Sequence, residues 1–398
     1  MSYEFPVAEE KTKDRSEDSF KPKKQPLKPA EAPERQEQQE RESTAAEICQ
    51  LGDYTKILET FALPENAGLL ESQLVILKNR YGSSRLTEAS RHLERHDWEM
   101  LTILELFDHT TFEHCLRTYE TAHQKITSSE AVGTYLRTHI AEEGFTPWDI
   151  ELACLLHDMG KIALTPKDLI LNNVLKNQEW HALFEGFCKN NLEPADAAAK
   201  IALYNETLAT HPELREKDIT PLSIVLTAAE RERLETLGID THLPLGKIIA
   251  KHQDISVDIA KRHYPESAIL ALIGNHHERS LAPDEPYPVS QSAVRISSIV
   301  GALRIADIFD AFHRARPYKG ENAIMITLAF LVQKTQDGGF IPDPLTRLWI
   351  DADLKKFDAK AYLHNLRKEH DPALADSEAA AYQTVHEYLH SSPADLKI

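Results

Sequence analysis

Histidine and aspartate residues recur along this 398-residue chain in positions that could hold metal ions. His157 and Asp158 are adjacent and follow an apolar run that ends in Leu155 and Leu156. Such a pair offers one imidazole nitrogen and one carboxylate whose two oxygens can bridge two metal ions. Lys161, three residues later, can direct a cation at a bound phosphate. The pattern indicates a metal-dependent phosphohydrolase, because a bridged pair of ions turns water into a nucleophile at neutral pH.

Further His, Asp and basic residues follow in an ordered series. The chain has 19 histidines, and a single His near an apolar face is more often a hydrogen-bonded structural residue than a ligand. The order of the whole set therefore carries the argument. The motifs are, in order, Asp108-x-x-Thr111-x-x-His114, His157-Asp158-x-x-Lys161, His242-x-x-x-Gly246, His276-His277-Glu278-Arg279, Ala306-Asp307-x-x-Asp310-Ala311 and Arg316-Pro317-Tyr318-Lys319.

This series resembles the HD-GYP family, a branch of the HD-domain phosphohydrolases, over about residues 100–352. The resemblance implies an all-α fold, an HD-domain helical bundle with a dinuclear metal site in its core. It also implies the activity of the characterised members, which hydrolyse the bacterial messenger cyclic di-GMP to the linear dinucleotide or GMP. We therefore expect a phosphodiesterase of bacterial signalling.

The resemblance also assigns roles to individual residues. It implies two divalent ions, iron or manganese, with Asp158 bridging them. The ligands implied for one ion are His114, His157 and Asp307, and those for the other are His242, His276 and His277. Asp158 and Lys161 are the residues expected to act in catalysis, and the groups expected to hold the substrate are Lys161, Arg316, Lys319 and Tyr287.

Two competing interpretations concern single residues of this set. His211 is followed by Pro212 and superficially copies the start of the third motif, but we prefer His242 because Gly246 follows it four residues later. Asp310 is interpreted as orienting a ligand, not as a ligand itself. His252, His263 and His313 are interpreted as surface or packing residues.

The sequence departs from the family pattern at three places. The loop 280–288 contains no glycine and ends in Pro286-Tyr287-Pro288, which alters a border of the substrate pocket. Thr110 stands where members with three metals place a Glu, so two metals are expected. About fifty extra residues separate Asp158 from His242. The altered loop motivates one alternative, an HD-type phosphohydrolase that acts on another cyclic dinucleotide or nucleotide. The altered loop and the insertion together motivate a second alternative, a catalytically weak module that binds a nucleotide or a partner.

The surrounding sequence must supply helices that position these residues. Apolar residues at spacings of three and four predict a helix from Phe112 to Ile126 that carries His114 beside its apolar face. They also predict a helix from Asp149 to Leu156 and helices that lead into His276 and Asp307. We expect a disordered tail at 1–45, a small helical module at 46–99, and the phosphohydrolase domain at 100–352. A helical insertion is expected at about 172–225 and a helical C-terminal extension at 353–398.

Composition restricts the partners. The chain has 45 Lys and Arg against 63 Asp and Glu, and a formal charge of −18 opposes binding to long nucleic acids and anionic membranes. Four scattered cysteines and no apolar span of roughly 20 residues favour a cytoplasmic protein. The expected ligand is a cyclic dinucleotide, and the insertion or tail could bind a signalling protein. The oligomeric state stays open.

Overall fold

The computed structural model describes residues 32–163, 177–211, 216–224, 226, 228–236, 238–265, 267–277, 298–313, 323–336, 341–356, 358–368 and 372–391. Among these residues the secondary structure is helical, with one isolated bridge between Pro221 and Pro244 and no strand. The all-α fold predicted from the sequence is confirmed. No described helix is both long and apolar enough to cross a bilayer.

The N-terminal helices share the main core of the molecule. They are α1 (Ala32–Cys49), α2 (Tyr54–Phe61), α3 (Leu69–Leu77) and α4 (Arg95–Phe107), with a π-helical turn at Lys78–Gly82. Ile57, Leu74 and Leu77 are buried in the same apolar cluster as the helices that follow. The module predicted at 46–99 is therefore helical, but its core is continuous with that of the larger domain.

Helix α1 corrects part of the expected disordered tail, because residues 32–45 are helical. Ala45, Ile48 and Cys49 are buried at the C-terminal end of this helix, and Gln50 Nε2 donates to Phe107 O at 3.2 Å. A helix anchored at one end can propagate into polar sequence, since extension is easier than nucleation. Composition alone missed this anchor. Residues 1–31 lie outside the described residues.

The centre of the bundle begins with α5 (His109–Thr127), α6 (Ala131–Glu142) and α7 (Pro147–Leu156), followed by a 3₁₀ turn at Met159–Ala163. Thr146 and Asp149 form a reciprocal capping box at the start of α7. Every residue from Ile150 to Leu156 is buried, so α7 runs through the core and ends inside it. His157 and Asp158 are consequently placed in the interior.

The insertion forms a second, smaller core. Its helices are α8 (Asn177–Asn191), α9 (Pro194–Thr210), α10 (Glu216–Ile219), α11 (Ala228–Thr236) and α12 (Leu245–Ala250), with a 3₁₀ turn at Leu222–Ile224. Trp180, Leu222, Leu234, Leu245 and Ile248 are buried together in a cluster distinct from the main one. This core extends beyond the expected boundary at residue 225 and includes α12.

The chain then returns to the main core. Helices α13 (His252–Lys261), α14 (Ile269–Gly274) and α15 (Ser298–His313) pack on the 3₁₀ turn after α7, on α7 and on α5, respectively. Leu272, Ile273, Leu303 and Ile305 are completely buried. These three helices and α5 and α7 surround the residues with metal-ligand chemistry.

The C-terminal helices complete the bundle. They are α16 (Ile324–Gln336), α17 (Asp343–Lys355), α18 (Ala359–Lys368) and α19 (Pro372–His390). The buried Glu378 of α19 accepts hydrogen bonds from the first amides of α16, at Met325 (3.1 Å) and Ile326 (2.9 Å). Val385 and Tyr388 belong to the main core. The helical extension expected after residue 353 is thus an integral part of the bundle.

Candidate metal centre

Five helices bring histidines and aspartates to one place in the core. His114 lies on α5 and Asp307 on the facing α15, and His157 and Asp158 follow the last turn of α7. His252 is the first residue of α13, and His276 and His277 follow α14 directly. We call the first ligand group His114, His157, Asp158 and Asp307, and the second ligand group Asp158, His252, His276 and His277.

The first ligand group converges through side-chain nitrogens and carboxylate oxygens. His114 Nε2 lies 2.9 Å from Asp307 Oδ1 and 3.7 Å from Asp158 Oδ2. His157 Nε2 lies 3.6 Å from Asp158 Oδ2 and 3.9 Å from Asp307 Oδ1. Four residues from three elements therefore face a common point, although the sequence separates the outermost two by almost half the chain.

The second ligand group is equally compact. His252 Nε2 lies 3.1 Å from Asp158 Oδ1 and 3.2 Å from His276 Nε2. The ring of His277 lies 4.1 Å from that of His276 and 5.2 Å from that of His252, measured between centroids. One ligand atom of each member lies within 4.8 Å of all the others.

Asp158 belongs to both groups through different oxygens. Its Oδ2 faces His114 and His157, whereas its Oδ1 faces His252. Asp158 therefore lies between the two groups, and its bridging of two ions stays a prediction. Asp307 also spans the two groups, since its Oδ1 faces His114 and its Oδ2 lies 3.4 Å from His277 Nδ1.

Three of the histidines have their tautomer fixed by their own backbone. Nδ1 of His157, His252 and His276 faces the carbonyl oxygen three residues earlier, at 2.9, 2.5 and 2.6 Å. A carbonyl can only accept, so each Nδ1 must carry the proton and each Nε2 must present a lone pair. All three Nε2 lone pairs point into the centre.

The residues present fit metal ions. The facing Nε2 atoms of His252 and His276 are both acceptors, and Asp158 Oδ1 beside them is a third. His157 Nε2 and Asp158 Oδ1 are buried with no hydrogen-bond donor among the described residues. Nitrogens bound at about 2.1 Å to one ion lie roughly 3.0–3.4 Å apart, which includes the 3.2 Å seen here. A cation in each ligand group would satisfy these acceptors.

The protonation states suit cation binding. Burial raises the pKa of Asp158, but interactions led by the charge of Lys161 outweigh burial and hold the pKa of this carboxyl well below its ordinary value. Burial also raises the pKa of Asp307, but interactions with His277 and His114 outweigh burial. The pKa of Asp307 therefore also lies well below its ordinary value. Burial lowers the pKa of His157 and His276. The carboxylates are therefore ionised and these two imidazoles neutral at pH 7.

Lys161 and His277 mark the solvent side of the centre. Lys161 Nζ forms an ion pair with Asp158 Oδ2, and its side chain is 13% exposed. The side chain of His277 is 42% exposed, whereas that of His157 is completely buried. A ligand that approaches from solvent thus meets the ammonium of Lys161 and the imidazole of His277.

The structure corrects the placement of one predicted ligand. His242 is exposed in the turn before α12 and lies outside both ligand groups. Its backbone amide donates to Asp240 Oδ1 at 3.0 Å. His252, interpreted from the sequence as a packing residue, occupies the expected place and is 1% exposed. The reason is tertiary: α12 buries its apolar face in the core of the insertion, whereas α13 packs against the turn after Asp158.

A close backbone approach lies beneath the centre at Gly160. A Cβ atom at this position would clash with the carbonyl oxygen of His252. Gly160 N donates to Ser256 Oγ at 2.7 Å, and this hydroxyl donates to His157 O at 2.6 Å. Ser256 therefore ties α13 to the His157–Asp158 segment. In the sequence, the only trace of this contact is the spacing of His252 and Ser256, which are four residues apart.

The remaining predictions have mixed outcomes. Arg316, Lys319 and Tyr287 lie outside the described residues, as do Glu278 and the loop 280–288. His211 and Thr110 are exposed. Asp310 accepts from His114 Nδ1 at 2.7 Å, which agrees with an orienting role. His263 stacks on His96 with ring centroids 4.6 Å apart, as expected for a packing residue.

No protein-family model matches this chain, and no curated protein or solved structure is significantly similar to it. The fold and the convergence of the two ligand groups define an all-α protein with a buried His and Asp centre able to hold metal ions.

Proposed function

We propose that this protein is a metal-dependent phosphohydrolase that binds two divalent ions at the two ligand groups. The observation that supports the proposal is a set of three facing acceptor atoms. His252 Nε2 lies 3.2 Å from His276 Nε2 and 3.1 Å from Asp158 Oδ1. Mutually facing lone pairs are unfavourable in a buried site unless a cation lies among them. Shared membership of Asp158 in both groups favours two ions over one.

The proposed assignment follows the two groups. His114, His157 and Asp307 hold one ion, His252, His276 and His277 hold the other, and Asp158 bridges them. Imidazole and carboxylate ligands suit iron, manganese or zinc, and the sequence resemblance favours iron or manganese. When bound, such a pair of ions supplies a water activated at neutral pH and neutralises charge on phosphoryl oxygens.

Lys161 is the substrate-facing residue among those described. Its ammonium pairs with Asp158 on the solvent side of the centre, where it can move to a non-bridging phosphate oxygen. An ammonium acts there as a compact point charge with three donors. Arg316 and Lys319 are proposed to hold further phosphate oxygens, and Tyr287 to border the pocket, on the strength of the sequence resemblance.

The proposed reaction is hydrolysis of a phosphodiester, with cyclic di-GMP as substrate and linear dinucleotide or GMP as product. The ordered motifs support this substrate, while the altered loop 280–288 is the reason to test other cyclic dinucleotides beside it. We further propose a cytoplasmic location and a role in bacterial signalling. Cys49, Cys115, Cys154 and Cys188 are all unpaired and buried, which suits a reducing compartment.

The test is turnover of cyclic di-GMP by protein loaded anaerobically with Fe(II) or Mn(II), with products separated by chromatography. Asp158→Ala should abolish turnover, by at least about a thousandfold, and should lower the content of both ions, because one carboxylate serves both groups. Asp149→Ala is the matched control: this half-buried carboxylate caps the same helix, so its loss should lower stability by about 1 kcal/mol and leave the metals bound.

Each outcome has a distinct meaning. Product from the wild type and from Asp149→Ala, but not from folded Asp158→Ala, supports the proposed enzyme. Metal-replete wild type that leaves cyclic di-GMP intact but cleaves another cyclic dinucleotide changes the substrate and keeps the reaction class. Metal-replete wild type that binds nucleotides without any turnover contradicts the enzyme and supports a binding module.

A further inference from the structure

His114 is held differently from the other buried ligands. Its Nδ1 does not face its own backbone but lies 2.7 Å from Asp310 Oδ2, on the neighbouring helix α15. Asp310 lies one turn after Asp307, and Arg117 lies one turn after His114, so two pairs of residues face each other across the helices. The His114 ring is thereby enclosed between the carboxylates of Asp307 and Asp310.

Arg117 fixes the outer of these two carboxylates. Its Nε donates to Asp310 Oδ1 at 2.6 Å and its Nη2 donates to Asp310 Oδ2 at 3.1 Å. A planar guanidinium that engages both oxygens sets the plane of the carboxylate as well as its position. The Asp310 side chain is only 5% exposed, so this pair is largely shielded from solvent.

Further ion pairs and hydrogen bonds link Arg117 to the segment between the N-terminal helices α3 and α4. Arg117 Nη1 lies 3.4 Å from Glu113 Oε2, and Arg85 Nη1 donates to that same oxygen at 2.7 Å. Tyr81 donates to Glu113 Oε1 at 3.2 Å. Arg85 also engages both oxygens of Glu120, at 2.6 and 2.7 Å.

Tyr81 and Arg85 belong to the connection between α3 and α4, which lies outside the motif-bearing segment 100–352. Hydrogen bonding to Glu120 and Glu113 outweighs burial and raises the pKa of Arg85 above its ordinary value. Arg85 pairs with Glu113 at 2.7 Å and with Glu120 at 2.6 Å, and Glu113 is the residue next to His114 in the chain. The N-terminal helices therefore contact α5 through ion pairs close to His114.

We propose that Arg117 is a positioning residue for the ligand His114, and that Arg85 couples the N-terminal helices to the same ligand. The inference rests on the proposed metal centre and deepens it. Through Glu113, Arg117 and Asp310, the connection between α3 and α4 sets the direction of His114 Nε2. The N-terminal helices thus tune the metal affinity of the first ligand group through a series of ion pairs that includes none of His252, His276 and His277.

The size of the effect should decrease along the series. Loss of a group that orients a metal ligand typically lowers metal affinity by about 10- to 100-fold. We expect this range for Arg117→Ala at the first ligand group. Arg85 acts through two further ion pairs, Arg85–Glu113 and Glu113–Arg117, and its side chain is 31% exposed. Arg85→Ala should therefore weaken binding of the same ion by only about two- to fivefold.

The experiment is a Mn(II) titration of the full-length apoprotein, followed by electron paramagnetic resonance and by competition with a chelator. Arg117→Ala, Arg117→Lys and Arg85→Ala are compared with the wild type. Arg347→Ala is the matched control, because Arg347 is a partly buried arginine that pairs with Asp343 (2.7 Å) and with the carbonyl of Tyr388, among the C-terminal helices. Thermal unfolding of each apoprotein reports general loss of stability.

The expected result is a spectrum of coupled Mn(II) ions for the wild type and Arg347→Ala, and of an isolated Mn(II) ion for Arg117→Ala at moderate metal concentration. Arg117→Lys, which keeps the charge but loses the planar contact, should recover part of the affinity. Two ions bound to Arg117→Ala with wild-type affinity would overturn the proposal. So would an equal loss of affinity in Arg347→Ala, which would indicate destabilisation alone.

The same titration separates this inference from the proposed function. Wild type that binds two ions but leaves every cyclic dinucleotide intact contradicts the enzyme, while the comparison of arginine variants still decides the positioning role. Wild type that binds no Mn(II), Fe(II) or Zn(II) contradicts the metal centre and the positioning role together.

Discussion

His252 and His114 face the same centre but are supported in different ways. His252 donates from Nδ1 to Ile249 O at 2.5 Å, within its own short segment, whereas His114 donates to Asp310 on another helix. The first support is set by local backbone geometry and persists wherever that turn forms. The second depends on how α5 packs against α15 and on charges as distant as Arg85. One region is therefore locally determined, and the other is open to influence from the rest of the molecule.

Removal of His252 itself should have the greatest effect on the centre. His252→Ala should reduce bound metal from two ions to one and abolish turnover, because the second ligand group loses a buried imidazole. His242→Ala, whose side chain is exposed, should retain both ions and nearly full activity. Metal content by mass spectrometry of the two purified variants decides between them. Loss of metal in His242→Ala alone would restore the sequence-based assignment.

A second change acts on the local support. Gly160→Ala places a Cβ atom against the carbonyl oxygen of His252 and near Ser256 N, so the turn and α13 must separate. We expect destabilisation of about 1–3 kcal/mol or more, together with weaker metal binding at the second ligand group. Gly186→Ala is the opposite case.

Gly186 lies within α8 and has nothing near an added Cβ atom, so alanine there should stabilise the protein by about 0.5–1 kcal/mol. Urea unfolding of the two variants gives both free energies. Equal stability of Gly160→Ala and the wild type would show that α13 does not depend on this contact.

A third change tests the long-range support of His114 through its pH dependence. Burial raises the pKa of Asp310, but the hydrogen bonds from His114 and Arg117 dominate and lower it to about 2. Because the folded pKa is depressed, the stabilisation is present above the unfolded value near 4 and is lost as pH falls towards 2. It amounts to about 2 kcal/mol. This part of the acid sensitivity should vanish in Asp310→Asn.

The measurement is urea unfolding of the metal-free protein between pH 2 and 6, for the wild type and Asp310→Asn. The difference in unfolding free energy between the two proteins should be largest above pH 4 and shrink at lower pH. A difference that is constant with pH would contradict ionised support of His114 by this carboxylate.

The sequence predicted which segments are helical better than it predicted where the structural units begin and end. Spacings of three and four apolar residues indicated the helix that ends before His157, and the structure has α7 there, capped by Thr146 and Asp149. The same reasoning could not detect that α1 extends back into polar residues at 32–45. It also placed the end of the insertion near residue 225, although the insertion core includes Leu245.

Six of the seven expected ligand positions meet at the centre, and the seventh does not. Adjacent residues such as His157 and Asp158, or His276 and His277, are fixed relative to each other by the covalent chain. The choice between His242 and His252 depended on which helix packs inward, and both positions have apolar neighbours that satisfy a helical pattern. Asp310 was recognised as an orienting residue from its spacing to Asp307, whereas Arg117 and Arg85 carried no signal of their own.

The amino-acid pattern specifies the helical class, the residue types of the centre and the pairs joined by one helical turn, because these follow from local periodicity and chain connectivity. Tertiary packing brings α13, and not the turn before α12, to Asp158. It also links Arg85 to His114 through Glu113, Arg117 and Asp310. Contacts between residues far apart in the chain depend on the packing of complementary surfaces, which no local pattern encodes.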